Sequence, residues 1–203
     1  MATRRANPAS VWWNLAKTLA ATIMVWAIMM VGIPSLLMRW HWSLDDNSLL
    51  RFSPNPSFAV ALFIAASGLG VMAAIQLAVA GRGTPLFFDA PRRLVTTGVY
   101  GHFRHPIMVS GVLQGIAVAI FGGSFILVGY LLLGIILWFL IARPTEELEL
   151  ARYFGRPYEI YRRGVPGYFP AFRAWFPADD SAARSIVVTG EYRAGRGGKR
   201  EPK

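Results

Sequence analysis

Gly98-Val99-Tyr100-Gly101-His102-Phe103-Arg104-His105-Pro106 opens directly onto a long apolar run, Ile107 to Leu140. The run is interrupted only by Gly122-Gly123-Ser124. Apolar stretches of this length read as bilayer-spanning helices, because about 20 apolar residues cross the hydrocarbon core. An arginine and two histidines at the mouth of such a segment are costly to keep there. They are therefore a functional-site hypothesis in their own right.

The composition agrees with a membrane protein. The chain has 203 residues, 54% hydrophobic and only 16% charged, with a mean hydropathy of +0.40. A soluble domain carries about a quarter charged residues. The net charge of +10 would suggest nucleic acid in a soluble protein. Here the basic residues sit between apolar runs and in the tail, where they set orientation in a bilayer. The absence of cysteine excludes disulfide and thiol chemistry. Three histidines without an HExxH pattern argue against a metal site.

Working outward, four spans are expected: Leu15–Met38, Phe58–Ala80, Ile107–Phe121 and Phe125–Ala142. Pro34 should kink or finish the first. Arg39 to Ser57 reads as a polar loop, its Trp40 and Trp42 belonging to an interfacial belt. The second span is rich in Ala65, Ala66, Gly68, Gly70, Ala73 and Ala74, which permits close helix packing, and Gln76 is its lone amide. Gly81-Arg82-Gly83 reads as a turn, and Asp89 as a cap or an arginine anchor. Gly122-Gly123-Ser124 should make a tight helical hairpin. A helix over Arg143–Phe154 should emerge from the membrane, with Pro144 in its first turn and Gly155 as its cap. A shorter helix over Pro157–Arg163 and an extended Val165–Pro170 should follow. The fold class is thus all-α, a polytopic membrane bundle. Residues 1–80 hold two spans, 81–176 form the working core, and 177–203 are a basic, disordered tail.

Basic residues number three at the N-terminal edge, two in the first loop, four in the second and twelve in the C-terminal region. Four spans with both termini cytoplasmic satisfy the positive-inside rule. The 81–106 loop and the 143–170 region then share one side, while His41 and the Asp45-Asp46 pair face the other.

Pro106 is welcome in a first helical turn. Arg104 and His105 would then lie just before a helix N-terminus, a good seat for a carboxylate or phosphate. Arg104 reads equally well as a topogenic charge. Glu146 and Glu147 point about 100° apart on a helix, so one can face a pocket while the other supports it. They also serve as dipole complements in a first turn. Tyr100, Tyr153, Tyr158, Tyr161 and Tyr168 read as interfacial packing. Taken together, these residues describe a cytoplasmic-face pocket with a cationic end and an acidic wall. It suits a zwitterionic cofactor and a lipid-like substrate.

Five segments occur in order: Leu94-Val95-Thr96-Thr97-Gly98-Val99-Tyr100, then Arg104-His105-Pro106, then Glu146-Glu147-x-x-Leu150-x-x-x-Phe154-Gly155, then Tyr158-x-x-Tyr161, then Val165-Pro166-x-x-x-Pro170. By these the chain resembles the isoprenylcysteine carboxyl methyltransferase family, itself related to the phospholipid N-methyltransferases. The likeness covers roughly residues 81–172. It implies methyl transfer from S-adenosylmethionine to a carboxylate or amine of an isoprenoid or phospholipid substrate. It further implies cofactor contacts from Leu94, Val95, Gly98, Val99, Tyr100, His105 and Pro106. Glu146 and Glu147 would hold its polar groups, and Tyr158 and Tyr161 would help close the site. Arg104, Arg143 and Glu146 are the catalytic candidates, the arginines steering an anion. Met108 stands where the family usually has an aromatic residue. Two other classes stay open on residues alone: an NADPH-dependent membrane reductase of the sterol-reductase type, and a non-catalytic transporter or assembly protein. The latter wants polar groups at mid-bilayer depth, where only Gln76 and Gln114 qualify.

Overall fold

The computed structural model describes residues 11–43, 50–82 and 93–168. The expectations for Asp45, Asp46, Asp89, Gly83 and the 177–203 tail lie outside them. Among the described residues the architecture is all helical. In chain order the helices are α1 (Val11–Trp26), α2 (Ile33–Ser43), α3 (Pro56–Val79), α4 (Pro106–Gly122), α5 (Phe125–Leu137), α6 (Arg143–Phe154) and α7 (Arg156–Gly164).

Two pairs of these are continuous rods. A π-helical segment, Ala27–Gly32, joins α1 to α2, and a second, Trp138–Ala142, joins α5 to α6. Each lies just before a proline. Ile33 donates its N–H to Ile28 O, and Arg143 donates to Trp138 O, both five residues back. A proline one position later cannot donate, and its ring crowds the carbonyl four residues back. The wider π turn makes room for that ring while the chain stays helical. Of the two outcomes expected at Pro34, the helix is distorted there and not finished: it runs on to Ser43, which corrects the expectation that Arg39–Ser43 belong to a loop. Arg143–Phe154 is helical over the expected bounds and continues the fourth span as one rod.

Among the described residues, three helices are long and apolar enough to cross a bilayer: Trp12–Trp40, Pro56–Val79 and Phe125–Phe154. The last has 30 residues, about 45 Å at 1.5 Å per residue, and exceeds a core of about 30 Å. We therefore take Phe125–Ala142 as its membrane part, with the polar α6 projecting beyond. α4 has 17 residues, about 25 Å, and is the short member of the bundle.

α3 packs along α4, as its small residues foretell. Ala66, Gly70, Ala73 and Ala74 are buried. A Cβ at Gly70 would overlap Ser110 Oγ, which donates instead to Ala66 O at 2.7 Å. Gln114 is fully buried and donates through Nε2 to Ser67 Oγ at 2.9 Å. It therefore ties two helices together, as polar side chains do in lipid. At one end, Gly123 takes φ +56 and ends α4, while the Ser124 side chain caps α5 by accepting from Ile126 N. Phe52 N donates to Gly123 O at 2.9 Å, so the segment before α3 is pinned to this hairpin. The opposite end gathers residues 93–105, α6 and α7.

Candidate active site

The segment before α4 is built by alternation. Leu94 packs toward the core of Phe154, Tyr158, Tyr161 and Val165. Its neighbour Val95 packs toward Ala73 and Tyr100. Successive extended residues point to opposite sides, so this short piece bridges α3 and the C-terminal helices. A 3₁₀ turn over Gly98–Gly101 follows, and His105 precedes Pro106 at the start of α4. The returning chain lies alongside: Arg104 N donates to Pro166 O at 3.0 Å and His105 N to Gly167 O at 3.3 Å. Val165–Gly167 thus locks the Arg-His pair from the far side.

The expected polar groups converge on Glu147. Its Oε1 accepts from Arg104 Nη1 at 3.0 Å and from Arg143 Nε at 3.3 Å, and lies 3.4 Å from His105 Nε2. Arg162 Nε stands 3.9 Å from Oε2. The Arg104 and Glu147 side chains are each 11% exposed, whereas Glu146 is 44% exposed. Glu147 is therefore the buried hub and Glu146 the wet neighbour. Burial pushes the Glu147 carboxyl up. Arg104, the His105 hydrogen bond and Arg143 outweigh it, so its pKa lies below the ordinary carboxylate value.

His105 is buried between two carboxylates, with Glu146 Oε2 3.6 Å from Nδ1 and Glu147 Oε1 3.4 Å from Nε2. Its ring stacks on Tyr168 at 5.9 Å and meets the edge of Trp138 at 5.1 Å. Arg143 lies over the Tyr168 and Phe139 rings at 5.5 and 5.6 Å. Tyr158 and Tyr161 are buried in the α6–α7 core, and Tyr161 Oη donates to Tyr100 O at 2.7 Å. Burial, with the nearby Glu147 charge, pushes the Tyr158 hydroxyl up to about 12. Burial likewise raises Tyr100 and Tyr161.

Several sequence candidates thus come together: Arg104, His105, Arg143, Glu146 and Glu147 in direct contact, with Tyr158 beside them. Leu94, Val95, Val99, Tyr100, Pro106 and Tyr161 form the frame behind them. Gly98 stands apart against Gln76. Trp138 and Tyr168 escaped the sequence reading as site residues. Tyr168 reads in sequence as interfacial packing and Trp138 as an ordinary span residue; only their shared position against His105 distinguishes them.

Among the described residues, three buried polar atoms around the hub have no hydrogen-bond partner of good geometry: Arg104 Nε, Tyr158 Oη, which the Arg104 guanidinium lies close to, and Tyr168 Oη. Buried polar groups are normally satisfied. Two cations, an acidic wall and orphaned donors fit a molecule bearing both an anionic and a cationic group.

The profile of the family described as phospholipid methyltransferase matches residues 55–157, which run from the start of α3 to the start of α7. A protein-S-isoprenylcysteine O-methyltransferase of Schizosaccharomyces pombe is 37% identical over 79 residues, covering 38% of this chain and 33% of that protein. The match therefore spans about a third of the relative's length. No solved structure matches the chain. The family match takes in the loop, the Arg-His-Pro stretch and the Glu146-Glu147 helix that together make the site, and the chain belongs to the phospholipid methyltransferase family.

Proposed function

We propose that this chain is an integral membrane methyltransferase. It uses S-adenosylmethionine and acts on a carboxylate or amine of a lipid-like substrate, isoprenoid or phospholipid. The observation that carries the reading is the meeting of Arg104-His105 with Glu146-Glu147 at the end of the apolar bundle. The orphaned Arg104 Nε, Tyr158 Oη and Tyr168 Oη add to it. Family membership and the S. pombe relative support the same reaction class.

S-Adenosylmethionine, when bound, supplies an electrophilic methyl group on a sulfonium. The chain's task is alignment and exclusion of water, and proximity alone is worth about 7–11 kcal/mol. Arg104 and Arg143 would hold anionic groups, and Arg104 also fixes Glu147. Glu146, exposed beside His105, would accept from cationic or hydroxyl donors. Leu94, Val95, Gly98, Val99, Tyr100, His105 and Pro106 would form the cofactor-facing wall, with Tyr158 and Tyr161 bracing it. A carboxylate acceptor needs no base. An amine must arrive unprotonated, and Glu146 is the group able to take that proton. With both termini cytoplasmic, the site would lie at the cytoplasmic face, in keeping with the distribution of basic residues.

Calorimetry on purified protein in detergent and in lipid tests the reading, with NADPH as the competing ligand. Binding of S-adenosylmethionine, weakened in His105→Ala and Glu146→Ala, is expected. Binding of NADPH instead, or of neither ligand in either medium, overturns it. Membranes incubated with methyl-labelled cofactor then define the product: a base-labile label is an ester, a stable one an N-methyl group.

A further inference from the structure

Gln76 takes no part in the cluster around Glu147, yet it grips the loop that leads there. It lies one turn before the end of α3. Its Oε1 accepts from Val99 N–H at 3.1 Å across 23 residues of sequence. The preceding residue, Gly98, has φ +59, and a Cβ built there would overlap the Gln76 carboxamide. The backbone thus approaches the side chain of a membrane span more closely than any L-residue with a side chain would allow. The two observations are separate: one is a hydrogen bond, the other a cradle without room for a Cβ. The next residue, Tyr100, is held from the other side by Tyr161. Four residues beyond it stands Arg104, paired to Glu147.

We propose that Gln76 is a positioning residue. It anchors the Gly98–Val99 backbone to the membrane bundle and so sets where the Tyr100–His105 loop meets the cofactor. The φ of +59 at Gly98 favours glycine, and the Gln76 carboxamide fills the space beside it. Gln76 bonds to the Val99 backbone and acts through the loop. The proposal rests on the cofactor reading above. Its physical basis is that a shift of about 1 Å in a positioning element is enough to cost two orders of magnitude in rate.

The test uses full-length protein with two readouts: amide exchange at Val99, and S-adenosylmethionine affinity by calorimetry. Gln76→Leu keeps the volume and removes the acceptor; Gln76→Glu keeps the acceptor. In Gln76→Leu, Val99 should exchange about fivefold to tenfold faster and affinity should fall by a similar factor, the size of one lost hydrogen bond. Gln76→Glu should restore both. Gly98→Ala should weaken binding, and Gln76→Ala/Gly98→Ala should be no weaker than Gly98→Ala alone, because the overlap is gone. Wild-type exchange in Gln76→Leu overturns the anchor. Faster exchange with unchanged affinity overturns its role in cofactor positioning, as do losses that simply multiply in the double variant. If the wild-type protein binds no S-adenosylmethionine, the functional reading fails, while the exchange measurement still decides the anchor.

Discussion

Glu147 Oε1 lies 3.0 Å from Arg104 Nη1, joining the middle of α6 to the loop before α4 across 43 residues of sequence. Both side chains are nearly withdrawn from solvent. Removing one partner of such a pair leaves an uncompensated charge, which costs about 3–5 kcal/mol. Glu147→Ala should therefore lower thermal stability and abolish measurable cofactor binding. Glu146→Ala, at a position 44% exposed, should stay within about 0.5 kcal/mol of wild-type stability and weaken binding alone. Melting and calorimetry on both variants separate the roles. Equal destabilisation by the two would contradict the hub assignment.

The charge state of Glu147 gives a pH dependence with a definite sign. Burial raises its pKa, but Arg104, His105 and Arg143 bring it below the unfolded carboxylate value. A group depressed on folding contributes stability that is fully present above its unfolded pKa. That contribution is lost as pH falls through the folded value. Wild-type protein should lose melting temperature on acidification below about pH 4.5, around the ordinary carboxylate range. Glu147→Gln should show a shallower decline over the same window. Parallel curves for the two proteins would assign acid sensitivity to other carboxylates.

Pro144 governs the phase of α6. The π turn before it holds one more residue than an α turn, displacing the downstream faces by about 100° relative to an unbroken helix. In that phase Arg143 and Glu147 face Arg104 and His105. Pro144→Ala permits an ordinary α-helical turn, because alanine supplies the missing N–H and lacks the ring that crowds the carbonyl four residues back. Helical content should be kept, while cofactor affinity falls at least about tenfold through loss of charge-assisted bonds. Unchanged affinity would show that the π turn does not set the site.

The convergence of Arg104-His105 with the Glu146-Glu147 pair was legible in the sequence, because basic-residue asymmetry puts both on one side of the bundle. The Ala/Gly face of α3 and the Gly123-Ser124 hairpin were legible too, since each is a local rule of packing or turn geometry. Which glutamate is buried was not. That depends on helix phase, and the phase passes through a π turn that no periodicity reveals. Pro34 left a kink or a stop equally open for the same reason: its local penalty is met by widening the turn before it. Gln76 was visible only as a lone amide in an apolar span, since its partner is a backbone N–H 23 residues away. Tyr168 has the ordinary look of an interface aromatic, and Trp138 of one apolar span residue among many, until the two are found packed together against the His105 ring.

Tyr161 offers a test of how α7 supports the loop. Its hydroxyl donates to Tyr100 O at 2.7 Å, and both residues are buried. Tyr161→Phe keeps the ring in the Phe154–Tyr158–Val165 core and removes only the donor. The carbonyl of Tyr100 is then left without that bond, at a cost of about 1–3 kcal/mol. The frame of the site loosens while the Glu147 cluster stays intact, so affinity should fall about fivefold to tenfold, with modest loss of stability. If Tyr161→Phe binds and melts like wild type, α7 holds the loop by its apolar face, and the hydroxyl is incidental.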